Sequence, residues 1–264
     1  MYNPRAAMPA HPRRRQEQRT QTLRYLVISD IHANLAALEA VLADAPAYEC
    51  VWCLGDIVGY GPKPNECVDR IRELPHQSLA GNHDWAALGR IDLSTFNLDA
   101  RVANAWTQSE LTPRSRAYLE SLPVRAEMDG FTAAHASPRE PVWEYVLDAR
   151  QAYANLDHFS TQFCLVGHSH VPVVFRANDE EKRCDTILGP FSGPLQLGEK
   201  RAIINPGSVG QPRDGDPRAS YAILDTKEET WEFRRVRYPV EVTQELMRAR
   251  GLPRRLVERL ALGR

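Results

Sequence analysis

Five short apolar runs in this chain each stop at a segment built from aspartate, asparagine or histidine, and this arrangement constrains the fold more than any other feature. Residues 25–28 lead into Asp30-Ile31-His32, residues 51–54 into Gly55-Asp56, and residues 77–80 into Gly81-Asn82-His83-Asp84. Later, residues 131–134 lead into His135, and residues 163–166 into Gly167-His168-Ser169-His170. Runs this short, bounded by turn residues, read as buried strands. Between the first three lie helical patterns: Asn34 caps a helix presenting Leu35, Leu38, Val41 and Leu42, and a second helix begins near Pro64 with Cys67, Val68 and Ile71 on one face. Strand, helix and strand in alternation predict a parallel sheet covered by helices. Ligands of such sheets bind beyond the carboxyl ends of the strands, which is where the five polar segments fall.

Downstream, residues 84–123 read as mainly helical, with Thr112-Pro113 as an N-cap followed by proline at the first helical position. The pattern then changes. Asp129-Gly130 predicts a hairpin turn between 124–128 and 131–134. A helix follows over 149–156, and strands over 163–166, 171–176, 202–204, 221–224 and 230–236. Two strand-rich halves with helices outside predict an α/β fold in which two mixed sheets pack face to face as a four-layer sandwich. Residues 23–264 are expected to form one domain, with a helical insertion about 84–123 and two amphipathic helices about 240–262 split at Gly251-Leu252-Pro253.

The first 22 residues stand apart. They hold five arginines against one glutamate, with Pro4, Pro9 and Pro12 and no apolar run, and are expected to be a disordered basic tail. The whole chain of 264 residues carries a formal charge of only −1, so no bulk basic excess indicates a nucleic-acid partner. No stretch approaches the roughly 20 apolar residues that span a bilayer. Five scattered cysteines, an odd number, argue against a disulfide framework and fit a reducing compartment, so a cytoplasmic location is expected. Cys50 and Cys53 form one C-x-x-C, open to a redox or half-zinc reading, but no second pair completes it; its place in an apolar run favours a core role.

Histidine, carboxylate and amide oxygen without thiolate form a ligand set suited to Mn, Fe, Zn, Co or Ni. Each segment alone is weak evidence, since Asp-x-His and Gly-Asp arise in ordinary turns. Five in order, each after a strand, make a metal site the expectation.

This ordered set resembles the calcineurin-like metallophosphoesterase superfamily, over roughly residues 24–238. The resemblance implies a dinuclear centre of two divalent transition-metal ions. Asp30, His32, Asp56 and His170 would hold one ion, and Asp56 would bridge to a second held by Asn82, His135 and His168. His83 would be the general acid, oriented by Asp84, although Asp84 could instead cap the following helix. The implied function is hydrolysis of phosphate esters by a metal-bridging hydroxide. Two ions can lower the pKa of a shared water and clamp phosphoryl oxygens, and with two carboxylates beneath them they leave a centre that attracts anions. Within the superfamily, Gly55-Asp56-Ile57-Val58-Gly59-Tyr60-Gly61 and Asn205-Pro206-Gly207-Ser208 resemble a bacterial diadenosine-tetraphosphatase-like branch.

The expected substrate is therefore a small phosphodiester, nucleotide or dinucleoside polyphosphate. Protein phosphatases of the superfamily carry an Asp-Arg-Gly whose arginine binds phosphate, where this chain has Val58-Gly59-Tyr60-Gly61. Phosphate contacts are then assigned to Asn82 and to Arg139 or Arg213, with Tyr60 either stacking on a base or packing in its loop. The alternatives are a phosphomonoesterase or protein phosphatase, and a catalytically silent binding scaffold, against which the intact histidine set speaks. The sequence leaves the oligomeric state open.

Overall fold

A computed structural model describes residues 23–189 and 192–264; the expected basic tail, residues 1–22, lies outside the described residues. The chain runs β1 (Arg24–Ile28), α1 (Leu35–Asp44), β2 (Cys50–Cys53), α2 (Pro64–Arg72), β3 (His76–Ser78) and α3 (Asn82–Ala87). Two further helices, α4 (Leu98–Glu110) and α5 (Pro113–Ser121), precede the hairpin of β4 (Arg125–Met128) and β5 (Phe131–Ala134). Then come α6 (Ala149–Asn155), β6 (Phe163–Leu165), β7 (Pro172–Asn178), β8 (Arg183–Leu188), β9 (Leu195–Gln196) and β10 (Ala202–Pro206). The chain closes with β11 (Ala219–Asp225), β12 (Thr230–Val236), α7 (Val240–Ala249) and α8 (Arg254–Arg259).

Local chemistry accounts for the boundaries. Asn34 Oδ1 accepts from Ala37 N at the start of α1, and the Thr112 hydroxyl accepts from Ser115 N ahead of Pro113. Asp129 and Gly130 both have positive φ, 46° and 82°, the conformation a two-residue hairpin turn requires. Strands β8 and β9 lie in a stretch with no strand pattern in the sequence. β8 is an edge strand with mostly exposed side chains, so no buried face imposes the apolar alternation that would reveal it.

The strands form two six-stranded mixed sheets, ordered β3-β2-β1-β11-β12-β9 and β4-β5-β6-β10-β7-β8. β1, β2 and β3 are parallel neighbours, as are β5, β6 and β10. Between the sheets lies an apolar layer in which Trp52, Leu224 and Trp231 from one meet Phe131, Leu165 and Ile204 from the other. Burying side chains of this size stabilises the fold by about 1.5–3 kcal/mol each. Outside the first sheet, Leu38, Val41, Val68 and Ile71 of α1 and α2 cover Leu26, Ile28 and Val51. Outside the second, Ala152 of α6 packs near Cys164, Phe175 and Ile203. The result is a four-layer α/β/β/α sandwich.

A fourth cluster joins α3 and α4 to α7 and α8 through Ala86, Phe96, Ala103, Met247 and Leu256. It places the C-terminal helices beside the carboxyl ends of the first sheet. Cys53 is buried in the core, where burial pushes its thiol up to about 12, and all five cysteines are free thiols.

Candidate metal centre

The five polar segments converge at the carboxyl ends of β1, β2, β3, β5 and β6, in the seam between the two sheets. Parallel strands point their carboxyl ends one way, so residues up to 140 positions apart meet there. The backbone pays for the meeting: Asp30, His32, Asp56, His168 and His170 all have φ between 48° and 65°. Left-handed backbone at a non-glycine residue costs on the order of 1–3 kcal/mol and persists only where its surroundings enforce it. Here Asp30 N donates to Gly55 O at 3.0 Å and His32 N to Asp56 O at 2.9 Å, which ties the first two ligand loops together. The loop after β10 braces them from behind, with Ser208 Oγ donating to Asp30 O at 2.8 Å and Asn205 Nδ2 to Gly167 O at 2.6 Å. Gly207 and Ser208 therefore serve the scaffold.

Each of the two central carboxylates divides its oxygens. Asp30 Oδ2 accepts from His168 N at 3.0 Å, and Asp56 Oδ1 from His83 N at 2.8 Å. Asp30 Oδ1 and Asp56 Oδ2 are buried with no hydrogen-bond partner, as is His168 Nε2. Three imidazoles are fixed by Nδ1 contacts to backbone carbonyls: His32 to Val58 O at 3.3 Å, His135 to Leu54 O at 2.9 Å, and His170 to Gln211 O at 2.5 Å. An Nδ1–H donated to a carbonyl leaves Nε2 with its lone pair, the form in which histidine binds metal.

Those Nε2 atoms face the orphaned oxygens. His170 Nε2 is 3.2 Å from Asp30 Oδ1 and 3.1 Å from His32 Nε2. On the other side, His135 Nε2 is 3.3 Å from Asp56 Oδ2 and 3.2 Å from Asn82 Oδ1. His32 Nε2 stands between, 3.8 Å from Asp30 Oδ1 and 3.7 Å from Asp56 Oδ2. Two donors each about 2.1 Å from one ion at near-right angles stand about 3 Å apart, so these separations fit cations between the groups. The potential ligand sets are Asp30, His32 and His170, and Asp56, His135 and His168; His83 also falls within range of His32 and Asp56.

Without cations the site is electrostatically frustrated. The Asp56 carboxylate raises His135 to about 9 against the burial that opposes it. Burial would also raise Asp56, but the charges of His135 and His83 outweigh it and hold Asp56 well below the usual carboxylate range. Burial dominates elsewhere, holding His32 well below its ordinary value and lowering His168 to about 3.

His83 begins α3, and its Nδ1 lies 2.9 Å from Asn104 Oδ1 on α4. This corrects the expectation that Asp84 orients it. The two oxygens of Asp84 accept from Val58 N at 3.1 Å and Gly81 N at 2.9 Å, so this carboxylate caps α3 and holds the loop after Asp56. Burial and the nearby Asp56 charge raise Asp84 to about 7. Burial lowers His83 to about 4, with Asp56 and the Asn104 hydrogen bond pulling the other way. Gly59 lets the loop pass beneath His83: its φ is +89°, and a Cβ there would stand 2.7 Å from His83 Nδ1.

Of the residues expected to contact phosphate, Asn82 lies beside His135, its Oδ1 3.2 Å from Nε2. Arg139 is not free, because its guanidinium pairs at the surface with Glu144, which also accepts from Ser137 Oγ. Tyr60 is 7% exposed, with its ring 4.2 Å from His83 and 4.7 Å from His32, so it packs beneath the site instead of offering a face to a base. The Arg213 guanidinium lies over the Tyr60 ring, 6.0 Å from its centroid; Nη2 donates to Gln211 Oε1, and Nε is buried without a partner.

The sequence pointed neither to Asn104 nor to the aromatic rim. Tyr145 stacks on His168 at 3.8 Å, and Trp143 meets Phe96, which itself lies 5.1 Å from His83. Tyr145 and Trp143 are 40% and 44% exposed. One signal for Asn104 exists: it is a weak helix former on the buried face of α4 with Ala100, Ala103 and Thr107.

A family model for the calcineurin-like phosphoesterase superfamily domain matches residues 23–229. An uncharacterised protein of Methanocaldococcus jannaschii is 42% identical over 250 residues, which cover 90% of this chain and 97% of that one. The crystal structure of a metallophosphoesterase from Sphaerobacter thermophilus matches with 50% identity and a TM-score of 0.85, covering 92% of this chain and all (100%) of that chain. That of a hypothetical protein from Pyrococcus horikoshii, 19% identical with a TM-score of 0.73 over 92% of this chain and 99% of its own, shares the fold.

Proposed function

The chain belongs to the calcineurin-like phosphoesterase superfamily and is a phosphoric ester hydrolase, and from that premise we propose a dinuclear metal-dependent enzyme acting on small phosphodiesters, nucleotides or dinucleoside polyphosphates. The observation that carries this reading is the division of the two carboxylates. Asp30 and Asp56 each have one oxygen tied to backbone and one that is buried without a hydrogen-bond partner and faces a histidine Nε2, 3.2 Å away at His170 and 3.3 Å at His135. A buried unpaired carboxylate oxygen is costly unless a cation meets it.

In this reading Asp30, His32, Asp56 and His170 hold one ion and Asp56, Asn82, His135 and His168 the other, drawn from Mn, Fe, Zn, Co or Ni. When bound, two such ions lower the pKa of a shared water and neutralise phosphoryl oxygens. The chain's own residues do the rest. Arg213, with an unpartnered buried Nε, and Asn82 orient the phosphoryl group. Asn104 accepts from Nδ1–H of His83, which aims Nε2 at the leaving oxygen. His83 is neutral before substrate arrives, and the negative charge of the ester draws a proton onto Nε2. Passing that proton to the leaving alkoxide contributes about 10²–10⁴-fold.

Among the described residues no helix is long and apolar enough to cross a membrane. Five free thiols support a reducing cytoplasm as the site of action.

The test is turnover of bis-(p-nitrophenyl) phosphate, p-nitrophenyl phosphate and diadenosine tetraphosphate by protein reconstituted with each metal, with metal content measured on protein purified without chelator. Preference for the diester or the dinucleotide is expected. Preference for the monoester would replace this reading by a phosphomonoesterase, and failure to bind two ions would remove the dinuclear centre.

A further inference from the structure

Trp143 and Tyr145 are the only exposed aromatic side chains among the described residues, and both stand against the metal centre. The Tyr145 ring lies nearly parallel to that of His168, with centroids 3.8 Å apart. Trp143 meets Phe96 at 5.1 Å with the rings perpendicular, and Phe96 in turn lies 5.1 Å from His83. A perpendicular neighbour covers at most one face of an indole, and the exposure of Trp143 leaves the rest of the ring open. Single apolar side chains on a surface need no explanation, but two large aromatics two residues apart beside a buried polar site mark a place where something apolar binds.

The loop that presents them is braced. Glu144, between the two in sequence, accepts from Ser137 Oγ at 2.6 Å and from Asn155 Nδ2 at 3.3 Å. Asn155 is fully buried on α6, and its Oδ1 accepts from Arg139 N at 3.3 Å, so one amide ties two points of the loop. Within the loop, Ala136 N donates to Pro141 O at 2.8 Å. Aromatic rings carried on a backbone fixed in this way are ordered in advance, which lowers the cost of binding to them.

Their position sets what they can hold. His83 gives its proton to the leaving oxygen, so the leaving group departs on the side where Phe96 and Trp143 stand. A planar ring system stacks on an open aromatic face, and any base can do so because every base has a π-face. We propose that Trp143, backed by Phe96 and walled on the metal side by Tyr145, stacks on the nucleobase of the leaving group. Trp143 is then a specificity-determining residue, and the preferred substrate is an ester whose leaving group is a nucleoside or nucleotide. This rests on the phosphoesterase reading above and narrows it, giving to the rim loop the base contact that the buried Tyr60 cannot make.

The test is calorimetric binding to the manganese-loaded protein of two phosphonates in which carbon replaces the ester oxygen, so that neither is hydrolysed: the 5′-methylenephosphonate analogue of AMP, and the same phosphonate of the methyl riboside, which lacks the base. Stacking predicts that the first binds about 5- to 100-fold more tightly. Trp143→Ala should reduce this ratio at least threefold, and Trp143→Phe should retain more of it than Trp143→Ala. A wild-type ratio under about fivefold overturns the proposal whether or not a variant folds, and so does a ratio that falls by less than threefold in Trp143→Ala. Self-association of the wild type that Trp143→Ala abolishes, together with a ratio near one, would assign the two rings to an interface between copies of the chain instead. The phosphonate without a base reports on the metal centre alone. Its normal binding with a ratio near one removes the base platform and leaves the phosphoesterase reading standing, whereas binding of neither removes both.

Discussion

The Nδ1 atom of His83 lies 2.9 Å from Oδ1 of Asn104, which brings together the first turn of α3 and the middle of α4. The ring edge is held by a neutral amide, while Asp84, adjacent in sequence, is engaged by two backbone amides. A neutral partner fixes the tautomer without adding the charge that would hold the imidazole protonated between turnovers.

Asn104→Ala should therefore lower kcat by about 10- to 100-fold with little change in KM. The loss should be larger for esters with poor leaving groups than for nitrophenyl esters, because only a poor leaving group needs the proton. Asn104→Asp should keep the tautomer but recover the rate only in part, and should shift the pH profile upward, because its charge holds the imidazole protonated. Equal losses across a leaving-group series would reduce Asn104 to a packing role.

Asp56 touches both halves of the centre, 3.3 Å from His135 and 3.7 Å from His32. Asp56→Asn should drop the bound metal from two ions per chain to one or none, with turnover falling by about three orders of magnitude or more. Metal analysis after gel filtration measures the first and steady-state assays the second. Two retained ions in the variant would mean that Asp56 does not bridge.

The two candidate arginines should behave differently. Arg139→Ala removes a surface pair whose partner Glu144 keeps its bonds to Ser137 and Asn155, and should change kcat/KM by less than about threefold. Arg213→Ala removes a guanidinium beside the site and should lower kcat/KM by about tenfold or more. Kinetics on one diester substrate settles both.

In metal-free protein, stability should carry the signature of a buried neutral imidazole. His83 is lowered from 6.5 to about 4, so between those values the unfolded chain binds a proton that the folded chain does not. Its contribution is complete above pH 6.5 and is lost as pH falls through about 4. The unfolding free energy of wild type minus that of His83→Gln should fall by on the order of 3 kcal/mol from pH 7 to pH 4. Denaturant titrations in chelator give this difference, in which the opposing contribution of Asp84 cancels to first order. A flat difference would show that His83 titrates normally.

Periodicity located the strands that build the site because those strands are buried on both faces: 25–28, 51–54 and 131–134 are apolar wherever the sheet is covered. It missed β8, whose residues lie at an edge with little burial to pattern them. The same contrast runs through the site. Asp30, His32, Asp56, Asn82, His135, His168 and His170 stood out as candidates because each comes soon after an apolar run, and the structure brings them together because strand ends in a parallel sheet share one side of the molecule. The partner of His83 could not, because nearness in sequence pointed to Asp84 while helix packing delivers Asn104. Arg139 and Arg213 are alike in sequence, both in polar loops after ligand segments, and only the fold sets Glu144 against Arg139.

By itself, then, the sequence determined the layered α/β architecture and the inventory of candidate ligand types, since burial and strand direction are written in local apolar patterns. Only the tertiary structure decided which oxygen of each carboxylate is left without a hydrogen bond, which amide holds His83, and which of Arg139 and Arg213 has a carboxylate against it. Those outcomes depend on hydrogen bonds between residues as much as 138 positions apart, and a bond's donor and acceptor are settled by packing geometry, which no local pattern encodes.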